Sequence, residues 1–236
     1  MLISRRTMLL ATLAATAAAC TTRTQLGKSG SPVELVGPGP YSSSDLEELS
    51  QLAGEVEGIP NSVMVVGDSI SAGSRQVLDT VLTDMGFDEV HIDAEPSRRI
   101  QVGKSKPTNG LAIVEFVQGA QPPGIWVVEL GTNDAGLYAE QDEYAELIDS
   151  VLDVIGDRVD LVWVNIYRFD VVDACRSFNT ALVERLSARG NATIVDWFSQ
   201  CLDHAGDLLS DGVHPNAAGQ LVLADMIRQA IQTRVR

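Results

Sequence analysis

Five short strand-like runs, mostly continuous and apolar and separated by stretches of helical period, constrain this chain more than any other feature. They are SVMVV (62–66), EVHID (89–93), IWVVEL (125–130), LVWVNI (161–166) and ATIVDW (192–197). Runs of this kind are expected where helices cover both faces of a parallel sheet. Helical periods fall between and after them, at 73–85, 109–119, 140–155, 173–189 and from Asn216 to about Thr233. In 140–155, Leu147, Ile148, Val151, Leu152 and Ile155 share one face. Strict alternation of β and α elements predicts one α/β domain, a three-layer α/β/α sandwich around a mainly parallel sheet of five strands. A domain of this length buries an adequate core by itself.

The N-terminal end reads differently. MLISRRTMLLATLAATAAAC has a basic start (Arg5, Arg6), an apolar run from Met8 to Ala19 and small residues ahead of Cys20. Residues 1–19 are expected to be an export signal, too short for a stable membrane span. SRRTMLL resembles a twin-arginine signal, and AAAC resembles a bacterial lipobox, in which the cysteine is lipidated. Residues 20–44, rich in Gly, Pro, Ser and Thr, are expected to be a lipidated Cys20 followed by a flexible tether. The folded domain then occupies 45–236, with Ser44 and Glu47 in capping-box spacing at its first helix. This organisation predicts an exported, membrane-anchored lipoprotein on the extracytoplasmic side, touching the membrane only through its lipid. With Cys20 lipidated, Cys175 and Cys201 form an even pair in an oxidising compartment. They are expected either as a disulfide or as two buried free thiols.

Loss of residues 1–19 removes Arg5 and Arg6, leaving 15 basic against 32 acidic residues. That surface repels nucleic acid and anionic lipid, so no nucleic-acid partner is expected. A monomer is the favoured state.

Ligands of such sheets bind beyond the C-terminal ends of the strands. Those positions carry Gly67-Asp68-Ser69, Ala94 to Arg99, Gly131-Thr132-Asn133-Asp134, Tyr167-Arg168 and the Trp197 region. Late in the chain DGVHP (211–215) places Asp211 and His214, one of three histidines, in a Gly- and Pro-bounded loop. A serine needs a base to become a nucleophile, and an imidazole needs a carboxylate to fix its tautomer. Ser69 as nucleophile, His214 as base and Asp211 as orienting acid fill those roles. The side-chain NH₂ of Asn133 and the backbone N–H of Ser69 are candidate donors to an oxyanion.

GDSI, GTND and DGVHP, in that order on an alternating α/β chain, resemble the SGNH (GDSL-type) hydrolase superfamily over residues 61–232. The resemblance implies a flavodoxin-like five-stranded sheet. It also implies esterase, lipase-like or carbohydrate O-acyl chemistry through an acyl-serine, with no metal and no cofactor. The expected substrate is a small-molecule or glycan ester bearing a short acyl group. The family's second block commonly supplies an oxyanion N–H from a glycine after the second strand. Here DAEPSRRI puts Ser97 at that position, and Gly103 lies further on.

Rival readings use the same residues. An O-acyltransferase needs only that a sugar hydroxyl replace water. A binding module would keep the fold without the chemistry. A phosphate cradle at GDSISAGS leaves Asn133 and the Asp211/His214 pair unused, and Asp68 would repel the phosphate. A metal set of Asp68, Asp211 and His214 lacks close ligand spacing. Arg98, Arg99 and Arg168 are expected near the cleft, as solvated surface charges or as a clamp for an anionic group. Tyr138, Tyr167 and Trp197 are candidates for sugar stacking or for packing.

Overall fold

A computed structural model describes residues 22–26, 32–37, 41–49, 57–102 and 108–235. The expected export signal, Cys20 and Gly103 lie outside these.

Five parallel strands form the body of the sheet, as expected from the apolar runs. In chain order the strands are β1 (Thr22–Leu26), β2 (Pro32–Val36), β3 (Ser62–Gly67), β4 (Glu89–Ala94), β5 (Ile125–Glu129), β6 (Asp160–Val164) and β7 (Ala192–Val195). Their spatial order is β1-β2-β7-β6-β5-β3-β4. From β3 onward this is the flavodoxin-like order, with the reversal of strand order, not of direction, falling between the parallel neighbours β3 and β5. Val63, Val65, Val66, Ile125 to Val128 and Leu161 to Trp163 have no exposed surface, which explains why these runs are continuous rather than alternating.

The sheet has seven strands rather than five, and the extra two correct the tether expectation. β2 pairs in parallel with β7, and β1 pairs antiparallel with β2. The physical reason is local. Val33, Leu35 and Val36 are buried, so a five-residue segment inside a Gly/Pro/Ser-rich stretch carries enough apolar surface to extend an existing sheet.

The helices are α1 (Ser43–Leu49), α2 (Ser69–Asp84), α3 (Gly110–Ala120), α4 (Gln141–Ile155), α5 (Val172–Ser187), α6 (Trp197–Leu208) and α7 (Ala217–Arg234). A 3-10 turn at Phe169–Val171 precedes α5. α7 packs on α1, α2 and α6 across one face, while α3, α4 and α5 pack together on the other. Three details depart from expectation. α1 is capped by Ser42, whose Oγ accepts from Asp45 N while Asp45 receives Ser42 N, so the reciprocal pair is two residues earlier than Ser44 and Glu47. α2 begins at Ser69, four residues before its periodic pattern, because Asp68 accepts from Ile70 N at 2.9 Å and starts the helix there. α6 follows β7 at once, capped by Asp196 on Ser199 N.

Cys175 and Cys201 are free thiols, both fully buried, in α5 and α6. The disulfide alternative is therefore corrected. Each thiol serves as a small apolar side chain, and burial pushes Cys175 up to about 11 and Cys201 higher still.

Candidate active site

Two strand ends and one late loop bring the Ser69 hydroxyl, the Asn133 amide and the His214 imidazole to the same edge of the sheet. β3 ends at Gly67, and the chain turns directly into α2 through Asp68. A Cβ on Gly67 would lie 2.3 Å from Ser71 Oγ and 2.5 Å from Ser71 Cβ, so only glycine lets the strand turn this tightly under the helix. Ser69 is then the first residue of α2, half-buried at the rim.

The loop after α6 is folded back on itself to deliver the imidazole. Leu209 bridges Pro215, Ser210 N donates to His214 O at 2.9 Å, and Asn216 N donates to Leu208 O at 2.8 Å. Gly212 sits at φ 84 with Phe169 packed against it, and Phe169 N donates to Gly212 O. Asn216 then caps α7 by accepting from Gly219 N.

His214 Nε2 is 3.0 Å from Ser69 Oγ, and His214 Nδ1 is 2.7 Å from Asp211 Oδ2. Asp211 Oδ1 also accepts the backbone N–H groups of Val213 (3.0 Å) and His214 (2.8 Å). The backbone and ring N–H groups of His214 hold the Asp211 carboxyl down to about 2. Ser69, His214 and Asp211, the candidate nucleophile, base and orienting acid, thus stand in hydrogen-bond contact, with serine and imidazole 145 residues apart in the chain. The imidazole and carboxylate are open to solvent, with side-chain exposures of 46% and 55%.

Asn133 follows β5, across the sheet's reversal point from Ser69. Its Nδ2 donates to Asp68 Oδ2 at 2.8 Å and to Arg98 O at 3.1 Å, so both amide protons are engaged. Ser97 lies one residue before Arg98, on the exposed turn after β4, and is the one non-glycine with positive φ (64) among the described residues. A serine is therefore held in the backbone conformation that a glycine adopts freely.

Beneath these groups lies a buried polar layer. Asp68 has no exposed surface and Glu129 only 2%. Glu129 Oε2 accepts from Ser71 Oγ (2.9 Å), Ser71 N (3.1 Å) and Asp68 N (3.3 Å). Burial first, and the neighbouring acid second, push Glu129 well above the usual carboxylate range, while burial pushes Asp68 up to about 6. Asp68 is thus turned inward to Ile70 and Asn133 and does not form a ligand set with Asp211 and His214.

Arg98 is neither the solvated charge nor the anion clamp expected of it near the cleft. Arg98 is 1% exposed and acts as an internal brace. Its guanidinium donates to Thr108 O (2.9 Å), Gly67 O (3.1 Å), Asp93 O (2.6 Å) and Asp93 Oδ1 (2.6 Å). Arg99 donates to buried Asp134 Oδ1 at 3.1 Å and to Tyr138 Oη at 3.0 Å, while Asp134 Oδ2 accepts Ile100 N. These contacts tie the Ser97 turn to the Asn133 turn. Arg168 pairs with Asp170 near the surface. Tyr167 and Trp197 are buried core residues, so the exposed aromatic of the rim is Phe169, which periodicity had not marked.

The sequence profile of the GDSL-like lipase/acylhydrolase family matches residues 65–222, spanning Ser69, Asn133, Asp211 and His214. The chain belongs to that family. As a GDSL-type protein with this site it is an ester hydrolase by class. It is 26% identical over 196 residues, 81% of its own length, to YrhL of Bacillus subtilis (strain 168), whose name provisionally assigns it to peptidoglycan O-acetyl transfer. It is 32% identical over 109 residues, 45% of its length, to the O-acetyltransferase OatA of Staphylococcus aureus (strain NCTC 8325 / PS 47). The matched regions span 26% and 16% of those relatives' own lengths. Among solved structures, the C-terminal catalytic domain of the Streptococcus pneumoniae peptidoglycan O-acetyltransferase OatA superposes with a TM-score of 0.58 at 21% identity, covering 75% of this chain and 96% of that one. The GDSL-type fold extends to a Clostridium thermocellum family 3 carbohydrate esterase, with a TM-score of 0.55, 18% identity, and 73% and 96% covered.

Proposed function

We propose that this GDSL-type enzyme removes short acyl groups, acetyl above all, from carbohydrate esters of the cell envelope through an acyl-Ser69 intermediate. The observation that carries the proposal is the unbroken contact from Ser69 Oγ through His214 to Asp211. Ser69 Oγ attacks the ester carbonyl carbon as His214 Nε2 takes its proton. The imidazolium is stabilised by Asp211 and returns that proton to the departing alcohol oxygen as the ester C–O bond breaks. Water, deprotonated by the same imidazole, then attacks the acyl-serine, and the imidazolium returns the proton to Ser69 Oγ as the acyl–Oγ bond breaks and the acid leaves. The tetrahedral oxyanion is received by the Ser69 N–H, the Ser97 turn and Asn133. Asn133 turns toward it the proton now on Arg98 O, the longer of its two bonds.

One observation supports a second reading. The imidazole edge is open, so a sugar hydroxyl can approach the acyl-serine as readily as water can. Together with the likeness to proteins named as O-acetyltransferases, this supports acyl transfer by the same triad.

The N-terminal strand bears on location. Thr22 pairs with Val36, and Val36 with Val195, so β1 starts at the edge of the sheet that carries Ser69. A lipid on Cys20 would leave the catalytic rim turned toward the membrane that holds it, favouring esters at the envelope surface.

The test is a panel of 4-nitrophenyl esters of graded chain length plus O-acetylated glycans, run with and without a glycan acceptor. The hydrolase reading expects short-chain preference and free acetate. Acetylated acceptor as the main product would establish the transferase reading, and a preference for long chains would overturn both.

A further inference from the structure

The buried acid Glu129 has no part in the proton transfers above, yet it lies directly beneath them. Its Oε2 accepts from the Asp68 and Ser71 backbones and from the Ser71 hydroxyl, and so fastens the turn on which Ser69 stands. Asp68, the next carboxyl in the same dry pocket, accepts from Ile70 N with one oxygen and from the Asn133 amide with the other. A chain of contacts therefore runs from Ser71 through Glu129 and Asp68 to the candidate oxyanion donor.

Among the described residues no cation reaches Glu129 Oε2, whose partners are two backbone N–H groups and one hydroxyl. Two carboxyl groups sharing a desolvated site cannot both ionise at little cost. The groups around the pair decide which one keeps the charge. Ser71 faces Glu129 from α2. Asp68 meets the Asn133 amide and the field of Asp134 from the loop after β5, and the field of His214 from the loop before α7. Arg98 holds the Gly67 carbonyl from the turn after β4, with its charge matched by Asp93. Asp68, with an amide and a backbone donor and the imidazole nearby, is the better place for the anion. Each oxygen of Asp68 accepts an N–H, whereas the three donors to Glu129 all lie on Oε2, so the other oxygen of Glu129 is the better place for the proton.

We propose that Glu129 is a positioning residue that works as the neutral acid, donating its proton to Asp68 and so fixing the carboxylate that aims Asn133 at the oxyanion. The inference rests on the acyl-serine reading only for its kinetic arm. Glutamine reproduces a neutral glutamic acid, with one acceptor and one donor, whereas methionine offers neither.

The kinetic arm compares wild type, E129Q and E129M on 4-nitrophenyl acetate, with active sites counted by a fluorophosphonate probe. We expect E129M to lose about 10- to 100-fold in kcat per active site, as a misaimed donor does, with KM little changed. We expect E129Q to recover most of that loss. The second arm reads the proton by infrared spectroscopy of the full-length protein at neutral pH. Wild type should show the carbonyl band of a buried protonated carboxylic acid, and E129Q should lack it. E129Q as impaired as E129M, an unaltered kcat in E129M, or no such band in wild type would each overturn the proposal. Wild type inert toward both ester and probe would overturn the acyl-serine reading instead, while the infrared band would still decide the state of Glu129.

Discussion

Replacing Arg98 with methionine should cost about 4 kcal/mol of stability, although sequence alone marks this arginine as a surface or substrate-facing charge. The side chain is 1% exposed and makes four hydrogen bonds. Methionine keeps the apolar stem and removes the donors. Gly67 O retains a second donor in Glu95 N, so its loss is small. Thr108 O and Asp93 O lose a donor inside the protein, at roughly 1 kcal/mol or more each. The bond to Asp93 Oδ1 is charge-assisted and contributes about 1.5–3 kcal/mol, reduced because that carboxylate is 41% exposed and can rehydrate. For a domain of this size each kcal/mol lowers Tm by about 2–4 °C, so a fall of about 8–16 °C is expected. Since whole domains are stable by only about 5–15 kcal/mol, R98M should still fold at room temperature. Thermal unfolding followed by circular dichroism at neutral pH measures the shift, and R98K should recover less than half of it. An R98M protein melting within about 2 °C of wild type would refute the bracing role.

Three further outcomes follow from the same geometry. Gly67→Ala puts a methyl group 2.3 Å from Ser71 Oγ, and should cost about 1–3 kcal/mol and slow probe labelling of Ser69; thermal melts and labelling rates check both. Cys175 and Cys201 should stay silent to a thiol reagent in the native protein and both react once it is unfolded without reductant, with a bridged pair giving no reaction in either state. Burial raises the folded-state values of Asp68 (to about 6) and Glu129, so the native state binds more protons than the unfolded chain above about pH 4.5. Their contribution to stability therefore falls as pH rises, by up to about 1.4 kcal/mol per pH unit per extra proton. E129Q should flatten that decline between about pH 5 and 7 in urea titrations, and parallel pH profiles for wild type and E129Q would contradict it.

The sheet was legible because β3, β5, β6 and β7 are buried on both faces and so spell continuous apolar runs, while the edge strand β4 alternates. β2 was not, because its apolar residues sit in a segment whose overall composition is that of a linker. α6 was hidden by its immediate start after β7, which made Trp197 read as strand. The meeting of Ser69, Asp211 and His214 was legible because a hydroxyl, an imidazole and a carboxylate expected at one sheet edge have few other uses. The supporting layer was not. Glu129 ends a strand whose other residues are apolar, and Arg98 stands beside Arg99 in a loop, so neither carries a periodic or spacing signal. Burial, which gives both their roles, appears only when strands and loops from distant parts of the chain close over them.

Acyl chemistry at this site depends on the reactivity of one hydroxyl. Intact-mass measurement after treatment with a fluorophosphonate probe tests it most directly. One adduct per chain, mapped to Ser69, absent in S69A and nearly absent in H214A, is the predicted result. An unlabelled wild type, or labelling that persists in H214A at the wild-type rate, would contradict it.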